Sequence, residues 1–296
     1  MTAGCVLICY DGSPEAGRAF GVAARLLAAQ RAVVLAVAQA LTTPQHLAAS
    51  MAVVSTSTFA AHNGAAALEC AREGATRARV AGFEAEARSE VAGTRLEGVL
   101  AVAEELDPAA IVVGSRGLSG LRELARGSLS HAVAEHSRHP VLIVPPLGGD
   151  TPRAGDGPAV VCNDGSRVAR HAVATAAEVL RGREAVVLEV ASFLVDPAYP
   201  DIALVAPQVD ETRVRDAVHV AEAGARNARL AGFEATARVG SGTTVAEAVS
   251  GVAADVDASV VVIGSRGGDR MIAGESLSHE VATHGGRPVL VVPYAG

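Results

Sequence analysis

The chain has 296 residues and a net charge of −7, and it is half hydrophobic yet only 3% aromatic, with no Trp. That acidic balance argues against sequence-blind nucleic-acid binding, which requires a basic face. All 25 basic residues are Arg, which removes Lys-containing phosphate loops, Schiff-base catalysis and any Lys general base.

The length predicts two domains. No apolar run is long enough to span a membrane. Asp11 interrupts the first apolar stretch and no basic segment precedes it, which argues against a signal peptide. The four cysteines, Cys5, Cys9, Cys70 and Cys162, show no metal-ligand pairing. On one strand Cys5 and Cys9 would stand about 13 Å apart, too far to bridge. A reducing cytoplasm is the expected location.

In chain order, Cys5 to Tyr10 is a continuous apolar run, as expected of a strand buried on both faces. Pro14 to Gln30 reads as a helix, with Ser13 as N-cap and Pro14 at its first position. Ala32 to Ala38 is a second buried strand, and Leu41 to Asn63 carries little pattern. Helices are predicted over Gly64 to Ala81, Thr94 to Leu106 and Ser128 to Ser137. Strands are predicted over Phe83 to Val91, Ala109 to Val113 and Val141 to Val144.

The chain then repeats itself. Ala81-Gly82-Phe83-Glu84-Ala85 recurs as Ala231-Gly232-Phe233-Glu234-Ala235, and Gly114-Ser115-Arg116-Gly117 as Gly264-Ser265-Arg266-Gly267. Ser128-Leu129-Ser130-His131 recurs as Ser276-Leu277-Ser278-His279, and Asp11-Gly12-Ser13 as Asp164-Gly165-Ser166. Each repeat is long enough to be a whole domain. The expected boundaries are 1–147 and 156–296, joined by the Pro/Gly-rich segment from Pro145 to Pro152. The expected fold class is α/β: two tandem domains, each a five-stranded parallel sheet with helices on both faces, Rossmann-like.

In such sheets ligands sit at the carboxyl ends of the strands, where the strand order reverses. Asp11 and Gly114 each follow a strand, so two distant loops converge on one crevice. Gly114-x2-Gly117-x9-Gly127-Ser128 runs from a strand end to a helix start. Its glycines permit close backbone approach. Gly127, Ser128 and Leu129 would present free N–H groups at the positive end of a helix dipole, which suits polyphosphate. The bland alternatives are a helix-capping Asp-Gly-Ser turn and a loop needing positive φ without a ligand. Arg116 and Arg266 would either reach phosphate or lie in solvent.

Other chemistry is poorly supported. His279 and His284, like His131 and His136, are five residues apart, roughly 140° around a helix, where paired metal ligation needs four. No Ser nucleophile elbow and no G-x-G-x-x-G dinucleotide fingerprint stands in place. No catalytic residue and no metal-ligand set is expected.

The Asp-Gly-Ser turn, the G-x2-G-x9-G-[ST] loop, the closing Pro-Val-Leu-Ile-Val-Pro strand and the duplication resemble the universal stress protein family, in its ATP-binding branch. The resemblance implies an adenine-nucleotide alpha-hydrolase-like fold, often dimeric, that binds ATP with Mg²⁺ in stress responses and regulates rather than catalyses. By that pattern Asp11 contacts the nucleotide or its metal, and residues near Cys9, Val37 and Ala38 hold adenine through the backbone. Val113 and Gly114 lie near ribose, and Gly117, Gly127, Ser128 and Leu129 near phosphate, where Arg116 would also stand if it reaches phosphate rather than solvent. Asp164, Gly264, Gly267, Ser276 and Leu277 are the counterparts in the second half. There the loop is two residues shorter and Glu275 stands in place of the glycine, which would set a carboxylate in the phosphate cradle unless Gly274 substitutes by a one-residue shift. A slow nucleotide hydrolase and a nucleotide-free scaffold are the alternatives. A protein partner is expected, with no nucleic acid and no membrane. Pairing of the apolar edge strands Val141 to Val144 and Val289 to Val292, within or between chains, is a further expectation.

Overall fold

A computed structural model describes residues 4–40, 56–115, 129–146, 156–182, 184–191, 211–266 and 277–294. The chain divides into two compact units, Met1–Thr151 and Pro152–Tyr294. The first contains β1 (Val6–Cys9), α1 (Pro14–Leu26), β2 (Arg31–Gln39), α2 (Thr56–Val80), β3 (Glu84–Ala92), α3 (Arg95–Leu106), β4 (Ala110–Gly114), α4 (Leu129–His136) and β5 (Val141–Val144). The second contains β6 (Gly157–Cys162), α5 (Arg167–Val179), β7 (Glu184–Val190), α6 (Glu211–Leu230), β8 (Glu234–Gly240), α7 (Val245–Asp255), β9 (Ala258–Ser265), α8 (Leu277–His284) and β10 (Val289–Pro293).

Strand order in the first unit is β3-β2-β1-β4-β5, and in the second β8-β7-β6-β9-β10. Within each unit every neighbouring pair is parallel. The reversal of chain order therefore falls between β1 and β4, and again between β6 and β9. Helices cover both faces. A Cβ added at Gly74 of α2 would meet Val34, and one at Gly98 of α3 would meet Val37. Val34 and Val37 are an odd number of residues apart on β2 and point to opposite faces, so α2 and α3 do too. The central strands are accordingly apolar without alternation, and Val6, Leu7, Ile8, Ile111, Val112, Leu142 and Ile143 are fully buried.

The helix starts obey their caps. Ser13 Oγ accepts the Ala16 N–H at 3.2 Å, and Ser166 Oγ accepts the Ala169 N–H at 3.1 Å. Thr94 and Glu97 form a reciprocal capping box. Two boundaries differ from expectation. Helix α1 stops at Leu26 rather than Gln30, because Leu27 turns extended (φ −92°, ψ 140°) and buries its side chain completely. Helix α2 begins at Thr56, inside the stretch that carried no pattern. Its first residues, Thr56-Ser57-Thr58, have hydroxyls that compete with helical hydrogen bonds, which hides the helix from local propensity. Packing of α2 against β2 and β3 supplies what those residues lack.

Candidate functional site

The carboxyl ends of β1, β2 and β4 lie side by side in the first unit. Cys9 is the last residue of β1, and the Tyr10 N–H donates to the Leu35 carbonyl at 2.9 Å, closing the β1–β2 ladder. Asp11 follows at once. Its Oδ1 accepts the Ser13 N–H at 3.0 Å across Gly12, whose φ of +83° an L side chain rarely adopts. The second unit builds the same turn: Asp164 Oδ1 accepts the Ser166 N–H at 3.0 Å, and Gly165 has φ +74°.

Beside this turn, Val37 and Ala38 sit near the end of β2. Alternate peptide groups along a strand face opposite edges. Leu35 turns its carbonyl toward β1, and Ala40 turns its N–H toward β3, onto Ala92 at 2.8 Å. Val37 therefore presents its N–H and C=O on the β1 edge, past the last residue of β1. Its side chain is fixed beneath α3, where a Cβ on Gly98 would come within 2.6 Å of it. On the other flank of β1, Val113 and Gly114 end β4, and Ser115 N–H donates to the Val144 carbonyl at 2.9 Å. Leu129 opens α4 and Leu277 opens α8. Arg116, Gly117, Gly127, Ser128, Gly267, Glu275 and Ser276 lie outside the described residues, as do 41–55 and 192–210.

Gly264 has a packing reason of its own. A Cβ there would stand 2.8 Å from Val168 Cγ1 and 3.1 Å from the Val168 carbonyl oxygen, in the first turn of α5. Close helix–strand approach alone accounts for this glycine. Arg266 is exposed. With Ser166, Arg167, Val168 and Tyr294 it lines an open recess of about 400 Å³. Among the described residues no group of three His, Cys, Asp or Glu side chains could hold a metal ion, and no helix is long and apolar enough to cross a membrane.

The electrostatics separate the two units. Burial, and secondarily the Asp11 charge, pushes the Cys9 thiol up to about 12. Cys162 is likewise pushed to about 12 by burial and by Glu189 and Asp164. Asp164 is raised by burial, but hydrogen bonds from Ser166 and the charge of Arg266 outweigh that and hold it below the usual range. Glu189, near the end of β7, is pushed up to about 7, first by burial and then by Asp164. Sequence reasoning passed over Glu189. Aligning the two second strands residue by residue shows it, because Glu189 stands where the first unit has Ala36. Cys70 of α2 was also missed; it borders the Asp11 turn, its Sγ 3.6 Å from where a Cβ on Gly12 would lie. Next to it Tyr10 Oη donates to Glu73 Oε1 at 3.4 Å, and Arg77 holds the same oxygen at 2.8 Å, tying β1 to α2.

The sequence profile of the universal stress protein family matches residues 5–145 and again residues 157–293. The chain belongs to the universal stress protein family. Universal stress protein YxiE of Bacillus subtilis (strain 168) is 54% identical over 46 residues, 16% of this chain and 31% of that protein. That match spans about a third of the curated relative's length. Among solved structures, a universal stress protein from Archaeoglobus fulgidus DSM 4304 is 22% identical, covers 99% of this chain and 97% of that one, and has a TM-score of 0.66. A putative universal stress protein from Pseudomonas aeruginosa UCBPP-PA14 is 15% identical, covering 98% of this chain and 92% of that one, with a TM-score of 0.53. These likenesses establish the duplicated stress-protein fold.

Proposed function

We propose that the first unit of this universal stress protein binds an adenine nucleotide, ATP with Mg²⁺, and that the chain acts as a nucleotide-responsive regulator rather than as an enzyme. The observation that carries this reading is the β1-side edge of Val37, which lies past the last residue of β1 and beside the Asp11 turn. One N–H and one C=O in a fixed strand are the complement of the donor and acceptor on an adenine edge, and they need no side chain. Asp11 and the end of β4 flank that edge at the reversal of strand order, the usual ligand position in open parallel sheets. The Gly117 to Leu129 segment would then hold the phosphates on backbone N–H groups, which suits a chain without Lys. When bound, Mg²⁺ would neutralise phosphate charge, with Asp11 as the carboxylate within the same turn.

Binding is favoured over turnover by the groups available. The Cys9 thiol stays protonated at neutral pH, so it is no nucleophile. One oxygen of Asp11 is engaged by its own turn. The test is Mg-ATP binding by calorimetry, together with phosphate release, for wild type and Asp11→Ala. Saturable binding without phosphate release, weakened at least tenfold in the variant, supports the reading. Binding unaffected by Asp11→Ala would overturn it.

A further inference from the structure

The two units carry the same turn and the same sheet, but their second strands differ at one chemically decisive position. Cys9 pairs with Leu35 and Cys162 with Leu188 in the two ladders. The next residue on each second strand is Ala36 in one unit and Glu189 in the other. Ala36 is 5% exposed. Glu189 lies on the face covered by α6. A Cβ on Gly224 of α6 would touch both Asn163 Nδ2, at 2.6 Å, and Val187 Cγ1, at 2.8 Å. Glu189 is two residues beyond Val187 and so shares its face. It is also the lateral neighbour of Asn163, whose N–H donates to the Leu188 carbonyl at 2.8 Å and whose side chain donates to the Val220 carbonyl at 3.1 Å. Asp164 follows Asn163 directly. Two carboxylates on adjacent strands therefore act on one another at the carboxyl ends of β6 and β7, where the corresponding positions of the first unit are Asp11 and the uncharged Ala36.

We propose that Glu189 is the specificity-determining residue that excludes an adenine nucleotide from the second unit, so that each chain carries one nucleotide, in its first unit. This rests on the nucleotide-binding reading above. The physical reason is repulsion in a partly desolvated crevice. A nucleotide placed as in the first unit would set its base at the end of β7 and its phosphates beyond Asp164, so Glu189 adds a second carboxylate beside the base and like-charge repulsion with the phosphates across Asp164 that Ala36 does not. The upward push that Asp164 exerts on Glu189 is the same repulsion already present without a ligand. The charge of Arg266 acts on Asp164, at the end of β6. The basic recess of Arg167 and Arg266 adjoins β9 and β10, on the far side of β6 from β7.

The test measures nucleotide stoichiometry by equilibrium dialysis of the full chain with radiolabelled ATP and Mg²⁺ at pH 7.5. The variants are Glu189→Gln, Glu189→Ala, Glu275→Gly, the reciprocal Ala36→Glu and its neutral control Ala36→Gln, each checked for fold by circular dichroism. The expected result is one nucleotide per chain for wild type and two for both Glu189 variants, the second site tightening at least tenfold. Ala36→Glu is expected to lose the first-unit nucleotide while Ala36→Gln, of similar volume, retains it. Two nucleotides on wild type, or one on wild type and still one on both Glu189 variants, overturns the proposal and leaves the nucleotide reading intact. A second nucleotide that appears with Glu275→Gly but not with Glu189→Gln also overturns it. No nucleotide on wild type or any variant overturns the nucleotide reading itself.

Discussion

Replacing Glu189 with Gln keeps the shape of the side chain and removes its titration, so it isolates the charge. An unfolded glutamate titrates near 4.5, whereas burial and then Asp164 push folded Glu189 up to about 7. Between those values the folded chain holds a proton that the unfolded chain has released. Stability contributed here is therefore present at low pH and is lost as pH rises through the folded value. One proton over that interval sets a ceiling of about 3 kcal/mol. Glu189 is only half-buried, and solvent screening reduces this to about 1–2 kcal/mol. The neighbours that respond with it are Asp164 and Cys162, and the thiol stays protonated throughout the range. Urea unfolding at pH 5 and pH 8, read on β6 and β7 by peptide-resolved hydrogen exchange, makes the comparison. Wild type and Glu189→Gln should match at pH 5, and the variant should be more stable at pH 8 by that amount. A difference that is the same at both pH values, or a variant less stable at pH 8, would refute the reasoning.

Substitutions at three further positions test the packing and the base of the sheet. Gly74→Ala would set its Cβ 2.6 Å from Tyr10 Cδ1 and 2.8 Å from Val34 Cγ1, both buried. Overpacking outweighs the gain in helix propensity, for a net loss of about 1–2 kcal/mol. Gly21→Ala meets nothing within 4 Å and should instead stabilise by about 0.5–1 kcal/mol. Thermal and urea unfolding should give opposite signs for the pair. Arg287 is buried and donates to Asp257 Oδ1 at 3.0 Å and to the Ala258 carbonyl at 2.5 Å. Arg287→Met should cost about 2–4 kcal/mol, because the Ala258 carbonyl loses that donor. Arg287→His should cost less, since His139 occupies the matching position of the first unit with Nδ1 3.6 Å from Asp107. Equal losses for Met and His would contradict that equivalence.

Most of the fold was legible because the signals are local and doubled. The strands are short apolar runs with no alternation, which two-faced burial requires, and Ser13, Ser166 and Thr94 cap helices where capping chemistry predicts. The early end of α1 was not legible, because Leu26 and Leu27 are chemically alike and only the burial of Leu27 in the sheet decides where the helix stops. The Asp11 turn could be read from Asp-Gly-Ser itself. The β1-side edge of Val37 could not be read from the residues themselves, since it depends on β1 ending opposite Leu35, four residues before β2 ends at Gln39. Glu189 was hidden for another reason. A single charged residue at the end of an apolar strand reads as solvated, and its meaning comes only from Asp164 arriving beside it through the ladder.

A nucleotide held in the first unit should be found on the protein as purified. The chain is denatured, released small molecules are identified by chromatography and mass spectrometry, and their ratio to chain is measured. The expected result is an adenine nucleotide at close to one per chain, absent from Asp11→Ala prepared in parallel. Absence of any nucleotide, with no thermal shift of the wild type on addition of Mg-ATP, would contradict it.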